Sequence, residues 1–286
     1  MTSRAVSPEA ISAAFLAACR DELTALKPGN VHVHNAGHGM QVAQFEAAAI
    51  AAAPFIADPD LSVGQRILKA TEKSFAAAQC NTNLGIVLLC APLAKAAAET
   101  DPAMGLRRRL AIILSALTIA DADDAFAAIR IANPAGLGSA PRGDVRAPAT
   151  MTLIQAMHEA SARDRIALAY VTAFSDIFDF ALPALTAARA NTPSPELAVS
   201  VLHMALLGEF TDSHIVRKFG EATAVNVQHE ARALKAQLDP ADAANTLAKL
   251  TDFDKNLKAR GLNPGTTADF VVATLFTGSL SARKQK

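Results

Sequence analysis

The stretch SPEAISAAFLAACRDEL, residues 7–23, decides the fold. Ser7 offers a capping oxygen, Pro8 presets the backbone angle of a first helical turn, and Glu9 suits the positive end of the helix dipole. Ile11, Phe15, Cys19 and Leu23 then recur every fourth residue, which lays one apolar stripe along one helical face. Two further segments repeat the start signal, Ser194-Pro195-Glu196 and Asp239-Pro240-Ala241. Similar stripes run through Ile67 and Ala70, through Leu110, Ile113, Leu114 and Leu117, and through Leu197, Val201, Ala205 and Leu206. Alanine dominates, tryptophan is absent, Tyr170 is the single tyrosine, and alternating β-branched runs are scarce. The pattern predicts an all-α protein, one single-domain helical bundle of about ten or more helices over residues 1–286.

Composition narrows the function classes. Lysine plus arginine equals aspartate plus glutamate, 27 against 27, so no net field draws the chain to nucleic acid or to an anionic membrane. Any anion must be held by local groups. Cys19, Cys80 and Cys90 show no CxxC spacing and suit a reducing compartment. No export signal is read in the first twenty residues. The most apolar runs, LGIVLLCAPLA (84–94) and LAIILSALTIA (110–120), fall short of the roughly 18 residues of a membrane span and read as buried helices. A soluble cytoplasmic protein is expected.

Polar, Gly- or Pro-containing stations interrupt the helices. KPGNVHVHNAGHG (27–39) carries Lys27 beside the Pro28-Gly29 turn, then His32, His34, Asn35 and His38. Three imidazoles could ligate a metal, but HxH in a loop has no fixed geometry. A lysine beside a Pro-Gly turn could meet phosphate, and an ordinary polar connection fits as well. NTN (81–83) precedes an apolar helix, and NPAGLGSAPRGDVRAPAT (133–150) offers Arg142 and Asp144 as a clamp over phosphate or as solvated charges. TDSHIVRKFG (211–220) sets Asp212, Ser213, His214 and Lys218 together, either for a magnesium-bound polyphosphate or as a salt-bridged helix start. No GxSxG elbow supports a Ser/His/Asp triad. In NPGTTADF (263–270), Thr266 or Thr267 reads as the cap of a last helix, with Asp269 in its first turn, a natural anion seat. Neither a dinucleotide fingerprint nor a P-loop is present.

Taken in order, the stations resemble the triphosphoribosyl-dephospho-CoA synthase family from about Glu22 to Phe276. The family's KPGLVD matches Lys27, Pro28, Gly29 and Val31, with His32 at its aspartate. Its glycine-histidine pair falls on Gly37 and His38. NTHKG falls on Asn81, Thr82 and Gly85, with Asn83 and Leu84 replacing its histidine and lysine. The D-T-N segment falls on Asp212 and Ser213, its following cation on Lys218, and SPGGSADL on Pro264, Gly265, Thr267, Ala268 and Asp269. In KPGNV, NTNLG and DSH the chain resembles a divergent branch of that family from organisms with methanopterin-type one-carbon carriers.

The resemblance implies an all-α fold and a Mg²⁺-ATP site. In that chemistry adenine leaves C1′ of ATP and a hydroxyl of dephospho-CoA captures the ribose, which keeps its triphosphate. The oxocarbenium-like transition state needs a carboxylate, an acid and a base, and the triphosphate needs Mg²⁺ and cations. Asp212 and Asp269 are the implied carboxylates and metal ligands, His38 or His214 the proton carriers. Lys27, Arg142 and Lys218 are the phosphate cations, with Thr266 and Thr267 at a helix start. Losing a cation at Leu84 and an imidazole at Asn83 leaves three alternatives open. They are the same chemistry on a methanopterin-type precursor, a non-catalytic nucleotide- or CoA-binding helical protein, and a metal-dependent hydrolase built on His32, His34 and His38. A homo-oligomer is compatible with all of them.

Overall fold

Pro8 opens α1 (Pro8–Thr24) where the sequence predicts it. Ser7 Oγ accepts from the Ala10 N–H at 3.3 Å, and Ile11, Phe15, Cys19 and Leu23 are all buried. The computed structural model describes residues 5–35, 39–99, 104–192 and 194–282. Helices follow one another through α2 (Val42–Ala57), α3 (Val63–Ala78), α4 (Leu84–Ala98), α5 (Leu106–Ser115), α6 (Ile119–Ala132), α7 (Leu153–Ala160) and α8 (Arg165–Val171). A short π-helix (Asp176–Ala181) leads into α9 (Leu182–Asn191), α10 (Pro195–Glu209), α11 (Ser213–Phe219), α12 (Glu221–Lys235), α13 (Ala243–Ala259) and α14 (Gly265–Ala282). The all-α fold is as expected, with fourteen α-helices and no strand among the described residues. No single described helix is long and apolar enough to cross a membrane.

The chain forms two compact units, each assembled from separated stretches. Unit 1 takes the residues up to Ala18, Gln44–Ser175 and those from Leu275 onward; unit 2 takes Cys19–Ala43 and Asp176–Thr274. In unit 1, α3 and α6 pack closely because Gly64 has no side chain: a Cβ there would lie 2.4 Å from Asp121 Cα. The Asp121 carboxylate fastens the two helix starts. Its Oδ1 accepts from Ser62 Oγ and the Gly64 N–H, its Oδ2 from the N–H and Oγ1 of Thr118. Arg66, fully buried, caps the end of α2 by donating to the carbonyls of Ile56 and Leu61. In unit 2, Leu197, Met204 and Leu207 of α10 meet Val227 of α12, Leu250 and Leu257 of α13, and Leu26. Gly208 lets α10 approach α12, where Arg232 Nε donates to its carbonyl at 3.0 Å.

Three local expectations are corrected. The run 110–120 is not one buried helix: α5 ends at Ser115, Thr118 caps α6 through a reciprocal box with Asp121, and Ile112 and Ile119 face solvent. Asp239 starts no helix. Its Oδ1 accepts from the Ala241 N–H in a turn, and Asp242 caps α13 instead. Thr266 and Thr267 already lie inside α14, and Asp269 falls beyond the first turn, because the capping oxygen comes from Asp212, far away in sequence.

Candidate active site

The residues after α1 in unit 2 fold into a tight loop. Gly29 takes φ +82°, a conformation costly for a side-chain-bearing residue. It also packs where a Cβ would lie 2.8 Å from Pro264 Cδ and 3.0 Å from the Leu262 carbonyl. Lys27 is fully buried. Its ammonium pairs with Glu22 and donates to Asn30 Oδ1 at 2.8 Å and to the Val31 carbonyl at 2.6 Å, so its three donors have three acceptors. Burial pushes the Lys27 pKa down and the Glu22 pKa up, and their mutual attraction opposes both shifts. The expected phosphate cation thus serves as the internal tie of its own loop.

Asp254 of α13 holds the other side. Its carboxylate accepts from the Gly29 N–H at 2.9 Å, from Asn35 Nδ2 at 3.0 Å and from Lys258 Nζ at 3.1 Å, and lies 3.4 Å from His32 Nε2. Burial pushes its pKa up. The hydrogen bonds from His32, the Gly29 N–H, Lys258 and Asn35 outweigh that and bring it down to about 2. His203 of α10 reaches the same loop, with Nε2 3.3 Å from the Pro28 carbonyl. A carbonyl only accepts, so Nε2 carries the proton, and burial together with Lys27 brings this imidazole down to about 3.

The late motif interlocks with the early one. Asn30 Nδ2 donates to Asn263 Oδ1 at 2.8 Å. One turn further, Asp212 Oδ2 accepts from the N–H of Thr267 at 2.7 Å and its Oγ1 at 2.8 Å, while Oδ1 caps α11 through the Ile215 N–H. Thr266 Oγ1 accepts from the His214 N–H, and Gly265 faces the His214 ring, where a Cβ would lie 2.7 Å from Nδ1. One buried carboxylate therefore serves two helix starts, a placement favoured by both dipoles. Burial nonetheless raises the Asp212 pKa, against the hydrogen bonds from Thr267 and Ile215.

Lys27, Pro28, Gly29, His32, Asn35, Asp212, His214, Pro264, Gly265, Thr266 and Thr267 are thus linked within unit 2 by direct contacts. Ser213 is buried beside Asp212. His34 is exposed, with its ring 5.9 Å from that of His32. Lys218 sits exposed at the far end of α11, 5.8 Å from the Phe219 ring centroid. Asp269 is half-buried on α14. His38 lies outside the described residues. In unit 1, Asn81 Oδ1 accepts from the Leu84 N–H, Asn83 Nδ2 donates to Ser74 Oγ, and Thr82 and Gly85 flank them at the start of α4. Arg142 is largely exposed, 3.4 Å from Glu159 beside an open surface cavity.

Sequence reasoning missed Asp254, Lys258, Asn263 and His203. The first two look like an ordinary i, i+4 surface pair, and His203 like one polar residue on an apolar helix; only Asn263, the first residue of the NPG turn, carried a signal.

Among the described residues, no group of three or more His, Cys, Asp or Glu side chains could hold a metal ion. Mg²⁺ carried in on substrate phosphates asks for no such cluster, only for one or two carboxylates.

The motif order agrees with the comparison to known families. The family model of CitG, ATP:dephospho-CoA triphosphoribosyl transferase, matches residues 8–286. The chain belongs to this family. CitG proteins are transferases, and the match spans both units. The crystal structure of an Archaeoglobus fulgidus protein described as a triphosphoribosyl-dephospho-CoA synthase superposes with a TM-score of 0.63 at 21% identity. The alignment covers 82% of this chain and 97% of that one, and at such identity it shows a common fold. No curated protein matches the chain.

Proposed function

We propose that this CitG-family chain transfers the triphosphoribosyl group of ATP to a hydroxyl of dephospho-CoA, releasing adenine. The observation that carries the reading is the union within unit 2 of three family motifs distant in sequence, through Gly29 against Pro264, Asn30 to Asn263, and Asp212 to Thr267. Rigid mutual support of this kind suits a reaction whose barrier is lowered by position and charge. Lys27 is assigned as the frame of the site, since its three donors are spent on the protein, and Asp212 as the carboxylate that joins two helix starts while keeping one acceptor site on Oδ1. Asp269 is assigned to the triphosphate-bound Mg²⁺, which when bound supplies charge neutralisation. His214, against the start of α14, and His38 are assigned to proton handling, and Lys218 to phosphate. Asn81, Thr82, Asn83, Gly85 and Arg142 are assigned to substrate on the motif match alone.

A second acceptor is favoured by one observation: His32, where the family has aspartate, is embedded between Asp254 and Lys258. A methanopterin-type precursor alcohol is the acceptor this second reading names. Free adenine is measured after incubation with Mg-ATP and either dephospho-CoA or such a precursor. Adenine with dephospho-CoA is expected. Adenine only with the precursor moves the acceptor, and calorimetric ATP binding without adenine in any mixture overturns transfer in favour of a nucleotide-binding protein.

A further inference from the structure

His32 is 1% exposed, and its Nδ1 has no hydrogen-bond partner. Its Nε2 has two neighbours with opposite demands, Asp254 Oδ1 at 3.4 Å and Lys258 Nζ at 3.3 Å. If Nε2 accepted from Lys258, the ring proton would sit on Nδ1 and leave a buried N–H with no acceptor, which is rare in native proteins. If Nε2–H donates to Asp254, the orphan is an acceptor lone pair, the less costly of the two. Lys258 does not need the imidazole, because it already donates to Asp254 and to the Asn35 carbonyl at 2.9 Å and keeps some exposure. The remaining charged and titratable groups near the ring are Lys27, the neutral His203 and His34, whose ring centroid lies 5.9 Å away. The same carboxylate also fixes the loop on both sides of His32, through the Gly29 N–H and the Asn35 amide.

We propose that Asp254 is a positioning residue of the transferase site: it fixes the Gly29–Asn35 loop and the Nε2–H tautomer of His32, so that Nδ1 accepts a hydrogen bond from the acceptor substrate's hydroxyl. The proposal rests on the transferase reading for the hydroxyl and on unit 2 alone for the tautomer. Nothing in the motif order points to α13. The assignment comes from one carboxylate receiving donors from four residues, and from an imidazole nitrogen left without a partner in the protein.

Imidazole ¹⁵N NMR of the full chain, with His32→Gln to assign the signal, reads the tautomer directly. The expected result at neutral pH is a protonated Nε2 and a bare Nδ1. Asp254→Asn should turn this into a mixed or Nδ1–H population, and Lys258→Met should leave it unchanged. In steady-state adenine release, Asp254→Asn should lower kcat/KM for the hydroxyl acceptor about tenfold or more, with the KM for ATP within about twofold of wild type. A wild-type Nδ1–H signal, or an Asp254→Asn protein with unaltered tautomer and acceptor kinetics, overturns the proposal. Should Asp254→Asn fail to fold, the wild-type and Lys258→Met spectra still decide the tautomer. If the wild-type chain releases no adenine with any acceptor, the transferase reading fails, while the spectra still settle whether Asp254 sets the tautomer.

Discussion

His203 shows how one buried side chain can give the protein a pH limit. Its Nε2–H donates to the Pro28 carbonyl, its Nδ1 has no partner, and burial with Lys27 nearby holds its pKa at about 3. The unfolded chain takes up a proton near pH 6.5, and the folded chain does not until near pH 3. Stability therefore falls as pH drops through that window, by about 1.4 kcal/mol per pH unit from this group. His203→Gln keeps a donor for Pro28 and removes the titration. Its thermal midpoint should depend less steeply on pH between about 6 and 5 than that of the wild type, and an identical slope would exclude His203 as the source. Asp254 acts in a lower window. Its depressed pKa of about 2 gives stability that is present above the unfolded value of 3.8 and lost below it. Neither residue stood out in the sequence, because burial and partner identity, which set both shifts, are not written in a histidine or an i, i+4 Asp–Lys pair.

At the level of elements, the start signals at Ser7 and Ser194 were legible because their caps are local. Ser7 and Ser194 open α1 and α10 as read, each accepting from an N–H three residues on. The reading failed where the cap comes from elsewhere or where a stronger local box intervened. Asp212 caps α14 across 55 residues. Thr118 and Asp121 cut the apolar run at 110–120, where their reciprocal capping box satisfies two of the backbone donors that a new helix start exposes. Gly64 belongs to this scale too. A glycine inside a helix is ordinarily improved by alanine, by about 1 kcal/mol. Here the added methyl group would meet the backbone of Asp121 on α6, so Gly64→Ala should destabilise unit 1 by roughly 2 kcal/mol or more in thermal unfolding. A variant that melts with the wild type would mean that α3 and α6 are not in such close contact.

Across the whole molecule, each unit is built from segments that lie far apart along the chain, and unit 2 depends on the stretch 19–43. Removing residues 1–43 deletes the Glu22–Lys27 pair and the buried Leu23, Leu26 and Val31. It also strips the Asp254 carboxylate of its Gly29, His32 and Asn35 donors. Lys258 stays as its charged partner, so the cost there is the loss of hydrogen bonds to a charged group, about 1.5–3 kcal/mol each. The fragment 44–286 should therefore lose cooperative unfolding by circular dichroism and release no adenine from Mg-ATP. A fragment that melts in one sharp transition and retains activity would show that the early loop is dispensable.

By itself the sequence determined the helical class, the proline-marked helix starts at Ser7 and Ser194, and the order of motifs that marks a CitG-family transferase. These follow from short-range physics, namely side-chain periodicity, proline and capping oxygens, and from residue identity at fixed spacings. Only the tertiary structure decided what the motif residues do to one another. Lys27 ties its own loop, Asp212 joins two helix starts, and Asp254 holds the turn that carries His32. The reason is that the state of a charged side chain depends on which distant segment removes water from it and which donors come with that segment.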